Sequence, residues 1–163
     1  MASTNVSSDA STEVAGQVAG PATIDLKLEV VTLPVSNIDR AKRFYQSLGW
    51  RLDADITAGD DFRVVQFTPP HSQCSIHFGK GLTTDSPGSV DRLILAVRDV
   101  DAARAELIRR GADVSEVYET RPAGAESRSD RSYFAYASFS DPDGNGWLLQ
   151  EITTRLPGRE WED

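Results

Sequence analysis

The sequence predicts an α+β fold: two tandem βαβββ modules forming a concave mixed sheet around a cavity. Three observations carry this. Residues 30–52 lie over residues 92–114 at a constant offset of 62 without a gap, and Leu33/Leu95, Val35/Val97, Asp39/Asp101, Ala41/Ala103 and Gly49/Gly111 coincide. Each copy reads as a β-rich run, a polar cap, an amphipathic helix and a glycine. Three further β-rich segments follow each helix, separated by turn residues.

In the first copy the opening strand is expected over Leu26–Val35. Ser36 or Asn37 then offers a helix N-cap. Ile38, Ala41, Phe44, Tyr45 and Leu48 recur at helical spacing, which predicts a helix over 37–48 with one apolar face. Gly49 follows where a helix C-terminus favours a left-handed residue. Strands are expected at Trp50–Asp55, Phe62–Thr68 and Cys74–Phe78. In the second copy the opening strand is Asp91–Val97, Asp99 is the cap, and Val100, Ala103, Leu107 and Ile108 mark a helix over 99–110 ending at Gly111. Its strands are expected at Asp113–Tyr118, Phe134–Ser140 and Trp147–Thr153. The organisation is thus a disordered tail at 1–23, a single domain at 24–153 with modules of about 26–80 and 90–153, and a C-terminal extension at 154–163.

Composition narrows the function. The chain has 163 residues and a formal net charge of −8, which disfavours a nucleic-acid binder and suits small molecules, cationic ones in particular. No apolar run reaches the length of a membrane span. Residues 1–23 lack Lys and Arg and have no apolar core, so a cytoplasmic location is expected. A lone cysteine, Cys74, excludes an intrachain disulfide and a Cys-rich zinc site.

The segments LEVVTLPVSNIDRAKRFYQSLGW and LILAVRDVDAARAELIRRGADV and the ending FSDPDGNGWLLQEI resemble the glyoxalase/bleomycin-resistance/extradiol-dioxygenase group, the vicinal oxygen chelate superfamily. The resemblance covers roughly residues 26–153 and implies the paired-module fold and a homodimer. It leaves function wide, since the superfamily holds isomerases, dioxygenases, epimerases, thiol transferases and drug-sequestering proteins. Its enzymes usually hold a divalent ion on His, Gln or Glu from the first and last strands of each half. The resemblance puts three of those positions at Val30, Arg92 and Leu148, and the fourth within Cys74–Phe78, where His77 is the candidate. Val and Leu carry no donor and Arg stays protonated, so no metal and no other cofactor is expected.

Candidate ligand-binding residues are Arg92, His77, Thr32 and Gln150. His77 alternates with Ile76 and Phe78 and is the one candidate catalytic group, as an acid/base imidazole, or else a hydrogen-bonded structural residue. Arg92 suits a carboxylate or phosphate bidentately, or a salt bridge to a neighbouring acid. Gln150 shares strand parity with Leu148, and Thr32 with Val30. Asp141-Pro142-Asp143-Gly144-Asn145-Gly146 reads as a tight turn rather than a calcium loop, because Ile152 stands where that loop needs Glu. The polar stretch 119–133, with Arg121, Arg128 and Arg131, is expected as a mobile loop near the cavity mouth. Trp50, Phe62, Phe67, Tyr133, Phe134 and Tyr136 supply aromatic surface for core or for stacking on a flat ligand. The leading expectation is a small-molecule-binding protein of the glyoxalase/bleomycin-resistance type, without a catalytic metal, that sequesters a drug or metabolite. The alternative is an enzyme of the same superfamily, a lyase, isomerase or dioxygenase acting on a small organic substrate.

Overall fold

The computed structural model describes Gly20, residues 23–124 and residues 130–161. Apart from Gly20 and Thr23, the stretch expected as a tail lies outside the described residues, as do residues 125–129 of the polar loop. The elements run twice through one order: β1 (Val30–Thr32), α1 (Ile38–Ser47), β2 (Arg51–Ala58), β3 (Phe62–Thr68), β4 (Ser75–Lys80), then β5 (Leu93–Val97), α2 (Val100–Arg109), β6 (Tyr118–Glu119), β7 (Ala135–Ser140) and β8 (Gly146–Glu151). The helices begin 62 positions apart, at Ile38 and Val100, as the internal repeat requires. Asn37 and Asp99 cap them, each side chain accepting from a backbone N–H three residues on at 2.9 Å. Gly49 and Gly111 leave the helices at φ 80° and 97°, a region closed to most side chains.

The strands form two four-stranded mixed sheets of identical topology, β1-β4-β3-β2 and β5-β8-β7-β6. In each, the first strand is parallel to the last and sits at the sheet edge. Among the described residues no ladder joins one sheet to the other, so the concave surface expected as a single sheet is divided between two. What joins the modules is one core. Tyr45 of α1 packs on Trp50, Phe67 and Phe78 of its own module and on Trp147 of β8, with ring centroids 5.1–6.2 Å apart. Side chains alternate along a strand. Val65, Phe67, Ile76 and Phe78 face this core from the first sheet, and Ala135, Ala137, Phe139, Trp147 and Leu149 from the second. The opposite face of each sheet therefore turns away from the core.

Two strands are shorter than the sequence pattern suggests. The first strand ladders only from Val30, because its neighbour β4 starts at Ser75, directly opposite; the Ser75 N–H reaches back to the Glu29 carbonyl at 2.8 Å, and among the described residues no strand pairs with residues 24–28. The segment expected as a strand over Asp113–Tyr118 makes an isolated bridge at Val114–Phe139, and continuous pairing starts only at Tyr118. The C-terminal extension packs back on module two. The Trp161 indole donates to the Ile152 carbonyl at 3.0 Å, and the Arg98 and Arg155 guanidinium groups lie over its ring.

The Asp141–Asn145 turn binds the modules together. Asp141 Oδ1 accepts from the backbone N–H of Asp143 and Asn145, both at 2.9 Å. Its Oδ2 accepts the Tyr45 hydroxyl at 2.9 Å and the Asn145 amide at 2.8 Å. The same amide reaches the Pro34 carbonyl of module one at 2.9 Å, while Asn145 Oδ1 accepts the Val90 N–H. Ser36 and Arg40 close on Asp143. The carboxylate oxygens of Asp141 and the side-chain amide of Asn145 all have partners, as a buried network requires, while Asp143 Oδ2 is buried without one among the described residues. The turn is structural: both Asp141 oxygens are committed within the fold, and Asp143 holds Ser36 and Arg40 through Oδ1.

Candidate functional site

The open face of the second sheet is concave and encloses about 970 Å³. Its floor follows from strand parity: Gly146, Leu148 and Gln150 of β8, Tyr136 and Ser138 of β7, Ile94 of β5 and Tyr118 of β6. Ile94 is 57 % exposed and Tyr118 44 %, large apolar surface held open on a sheet rather than buried. Tyr118 opposes Tyr136 in register, and their rings stack at 5.8 Å and 26°. Asp91, Arg92 and Asp113 stand at the rim, and Ser115 and Thr120 add hydroxyls.

Gln150 and Tyr136 are fixed from behind. The Tyr136 hydroxyl donates to the Tyr133 carbonyl at 2.6 Å, and Gln150 Nε2 donates to that carbonyl and to the Tyr136 hydroxyl, both at 3.1 Å. Tyr133 can present its carbonyl this way because it holds φ 69°, an unusual conformation for an aromatic residue, secured by its own N–H bonding to the Glu151 carbonyl at 2.7 Å. Arg92 also has a positive φ, 58°. A Cβ at position 146 would meet the Asp91 carboxylate at 2.6 Å and the Arg92 backbone nitrogen at 3.4 Å, so a side chain there would displace Asp91. Among the described residues, two of the three non-glycine positions with positive φ thus border this face, where stored backbone strain tends to gather. Arg92 precedes β5 rather than lying in it. Its side chain is 82 % exposed and its Nε sits 3.5 Å from Asp91, so its guanidinium stays at the cavity rim.

Thr32 and His77 lie elsewhere. They pair in register across β1 and β4, with Thr32 Oγ1 and His77 Nε2 hydrogen-bonded at 2.6 Å, on the open face of the first sheet. Burial holds the His77 imidazole below its usual pKa, so it is neutral near pH 7. Around it on that face come Val30, Gln66 and, farther along, the exposed Ile56. The four candidates therefore form two pairs, Arg92 with Gln150 and Thr32 with His77, on sheet faces that both turn away from the shared core.

The same division bears on metal chemistry. The positions where the resemblance implies donors hold Val30 and His77 on the first face, and Arg92 and Leu148 at the second. Two have no donor atom, one is a cation, and the imidazole Nε2 is committed to Thr32. This set does not fit a divalent ion. Among the described residues no group of three or more His, Cys, Asp or Glu is placed to hold one.

Sequence reasoning missed Tyr118, placed at the end of a strand with no role. Its signal is pairing rather than parity, since only the register of β6 against β7 sets it on Tyr136. It also missed the Tyr133 carbonyl, which no side-chain pattern reveals. Of the aromatic candidates, Trp50, Phe67 and Phe134 are buried, Phe62 is 37 % exposed and Tyr136 lines the cavity. The described ends of the polar loop are tied down: Arg121 bonds Glu119 and covers the Phe134 ring, and Arg131 bonds Asp101 at 2.9 Å.

Comparison with known proteins agrees with the fold. The family model described as the glyoxalase/bleomycin resistance protein/dioxygenase superfamily matches residues 27–149. The chain is similar to TnmS3, an antibiotic binding protein from Streptomyces sp. CB03234, with 31 % identity, a TM-score of 0.62, and 81 % of this chain and 99 % of that one covered. A glyoxalase/bleomycin resistance protein from the same organism gives 32 % identity and a TM-score of 0.59 over 77 % of this chain and 100 % of the other. A superfamily member from Sphaerobacter thermophilus DSM 20745 gives 25 % and 0.59 over 78 % and 98 %. No curated protein sequence matches significantly. Among the described residues no helix is long and apolar enough to cross a membrane. With a family match across most of its length and paired βαβββ modules in its structure, the chain belongs to the glyoxalase/bleomycin resistance protein/dioxygenase superfamily.

Proposed function

We propose that this protein binds and sequesters a small organic molecule, without a catalytic metal, as a homodimer. The observation that carries the reading is the open 970 Å³ concavity floored by the stacked Tyr118–Tyr136 pair. Its chemistry is that of a binding site: aromatic and aliphatic floor, a few fixed polar groups, and mixed charge at the rim. The Tyr118 ring offers one face to a flat aromatic group. Arg92 suits an anionic substituent and Asp91 and Asp113 a cationic one, in keeping with the net charge of −8. The likeness to an antibiotic binding protein supports the same reading. A homodimer is supported by the two open faces. Each chain presents one with Thr32 and His77 and one with Arg92 and Gln150, and an isologous pair would close one face against the other.

The test uses the fluorescent aromatic probe 8-anilinonaphthalene-1-sulfonate, displaced by a panel of planar antibiotics and followed by mass spectrometry. The expected result is saturable displacement by at least one compound, recovered chemically unchanged, with about 3- to 10-fold weaker binding for Tyr118→Ala, the worth of one aromatic contact. Conversion of a compound to a new mass, abolished by His77→Ala, would instead establish the enzyme reading, with the neutral imidazole as the acid/base group. That alternative is favoured by one observation, the short Thr32–His77 contact on an open face.

A further inference from the structure

Gln150 lines the cavity with its amide already oriented from behind. Its Nε2 lies 3.1 Å from the Tyr133 carbonyl and 3.1 Å from the Tyr136 hydroxyl oxygen. A carbonyl only accepts, so the amide atom turned to it is the nitrogen. The reverse setting would bring two acceptor oxygens against each other. The Tyr136 hydroxyl cannot relieve that clash, because its own proton goes to the same carbonyl at 2.6 Å. The carbonyl is itself pinned. Tyr133 donates its N–H to the Glu151 carbonyl at 2.7 Å, and the adjacent Ser132 Oγ accepts the Thr153 N–H at 3.0 Å. Oε1 is therefore the end that Gln150 offers to the cavity, and among the described residues it has no partner.

The remaining polar groups either accept or favour neither role. The Ser115 hydroxyl is committed, donating to the Glu116 carbonyl and accepting the Ser138 N–H, both at 2.9 Å. The Ser138 and Thr120 hydroxyls can rotate to donate or to accept, so they discriminate little. Asp91 and Asp113 at the rim are carboxylates and only accept. Arg92 is the one cationic side chain lining the cavity among the described residues, and it sits 3.5 Å from Asp91. Tyr118, Tyr136 and Gln150 lie in register across β6, β7 and β8. With strands about 4.8 Å apart, the acceptor stands about 10 Å along this row from Tyr118, within the span of a ligand of two or three fused rings.

We infer that Gln150 is the specificity-determining residue of the cavity, and that its Oε1 selects planar aromatic ligands carrying an O–H or N–H donor, such as phenols and ring amides, over their methylated or unsubstituted counterparts. This rests on the small-molecule-binding reading and adds to it the ligand class and the residue that chooses it. A donor-bearing ring replaces the water on Oε1 with a hydrogen bond. A methylated ring strips that water and returns nothing, and an acceptor left unpaired under a ligand costs more than a typical bond gains. The Tyr133 carbonyl makes the choice firm, because it holds the amide against turning over to present its nitrogen instead.

The experiment measures displacement of 8-anilinonaphthalene-1-sulfonate by 2-naphthol and by 2-methoxynaphthalene, at pH 7, where both are neutral. The two share a ring system and differ in the donor. The full chain should bind the naphthol about 10-fold more tightly than the ether. Gln150→Met keeps the side-chain length and removes the acceptor, and there the preference should collapse to within about 2-fold. Equal affinities in the wild type, both weakened in Tyr118→Ala, would overturn the acceptor and leave the binding reading standing. A preference that survives Gln150→Met and disappears in Ser138→Ala would overturn it too, by moving the selection to another residue. No saturable binding of the probe or of either naphthalene would overturn both readings. Should Gln150→Met fold poorly, nuclear magnetic resonance of the wild-type chain answers independently. A donor on Oε1 polarises the amide, so the Gln150 side-chain N–H signals should move downfield with saturating 2-naphthol and stay in place with the ether. Signals that do not move with the naphthol would contradict the proposal.

Discussion

His77 shows how one residue's setting decides its chemistry. It is held neutral by burial, and it is hydrogen-bonded to Thr32 across the strand pair. Because its folded pKa lies below the ordinary histidine value of 6.5, the unfolded chain takes up the proton first as pH falls. Its contribution is therefore neutral above pH 6.5 and destabilising below it. Urea midpoints of wild type and His77→Gln should converge above pH 7, and the wild type should lose stability more steeply from pH 6.5 downward; parallel curves would refute the assignment. Tyr45 is the buried counterpart. Burial first, and then the charge of Asp141, push its phenol far above the ordinary tyrosine range, so it is a permanent donor. Tyr45→Phe removes the hydroxyl that Asp141 accepts from and the acceptor of the Trp147 indole, and should cost about 2 kcal/mol.

At the scale of elements, the helices were legible because caps, apolar spacing and terminal glycines agreed. Asn37→Ala and Asp99→Ala should each cost about 1 kcal/mol, read from thermal or urea unfolding. Strand lengths were less legible, since residues 24–29 have a strand's alternation and only the starting point of β4 decides that they have no ladder. Thr32 and Gln150 were visible as candidates from parity, and Arg92 and His77 through the family resemblance. Their separation onto two faces was not, because it depends on which sides of the two sheets share the core. The turn at 141–145 stood out in sequence for its acids and glycine, yet its meaning lies in contacts to Pro34 and Tyr45, more than ninety residues away in the chain. Asn145→Ala cuts the link to Pro34, leaves Asp141 Oδ2 short of one donor and takes the acceptor from the Val90 N–H. It should destabilise by about 3 kcal/mol and shift both modules' unfolding together. Independent unfolding of one module would show that the turn does not couple them.

For the whole molecule, the back-to-back arrangement sets the terms of function. A shared core leaves both open sheet faces outward, and the floor of the second-sheet cavity is complete within one chain. The absence of donor atoms at Val30 on the first face and Leu148 on the second, with the cationic Arg92 at the second face's rim, argues for binding over metal chemistry on the nature of the side chains alone. Native mass spectrometry of the protein mixed with a compound that displaces the probe addresses this most directly. The account predicts a dimer carrying up to two intact ligands, with no added metal mass and with occupancy reduced in Tyr118→Ala. A complex containing one equivalent of a divalent metal per chain, or a bound product differing in mass from the added compound, would contradict it.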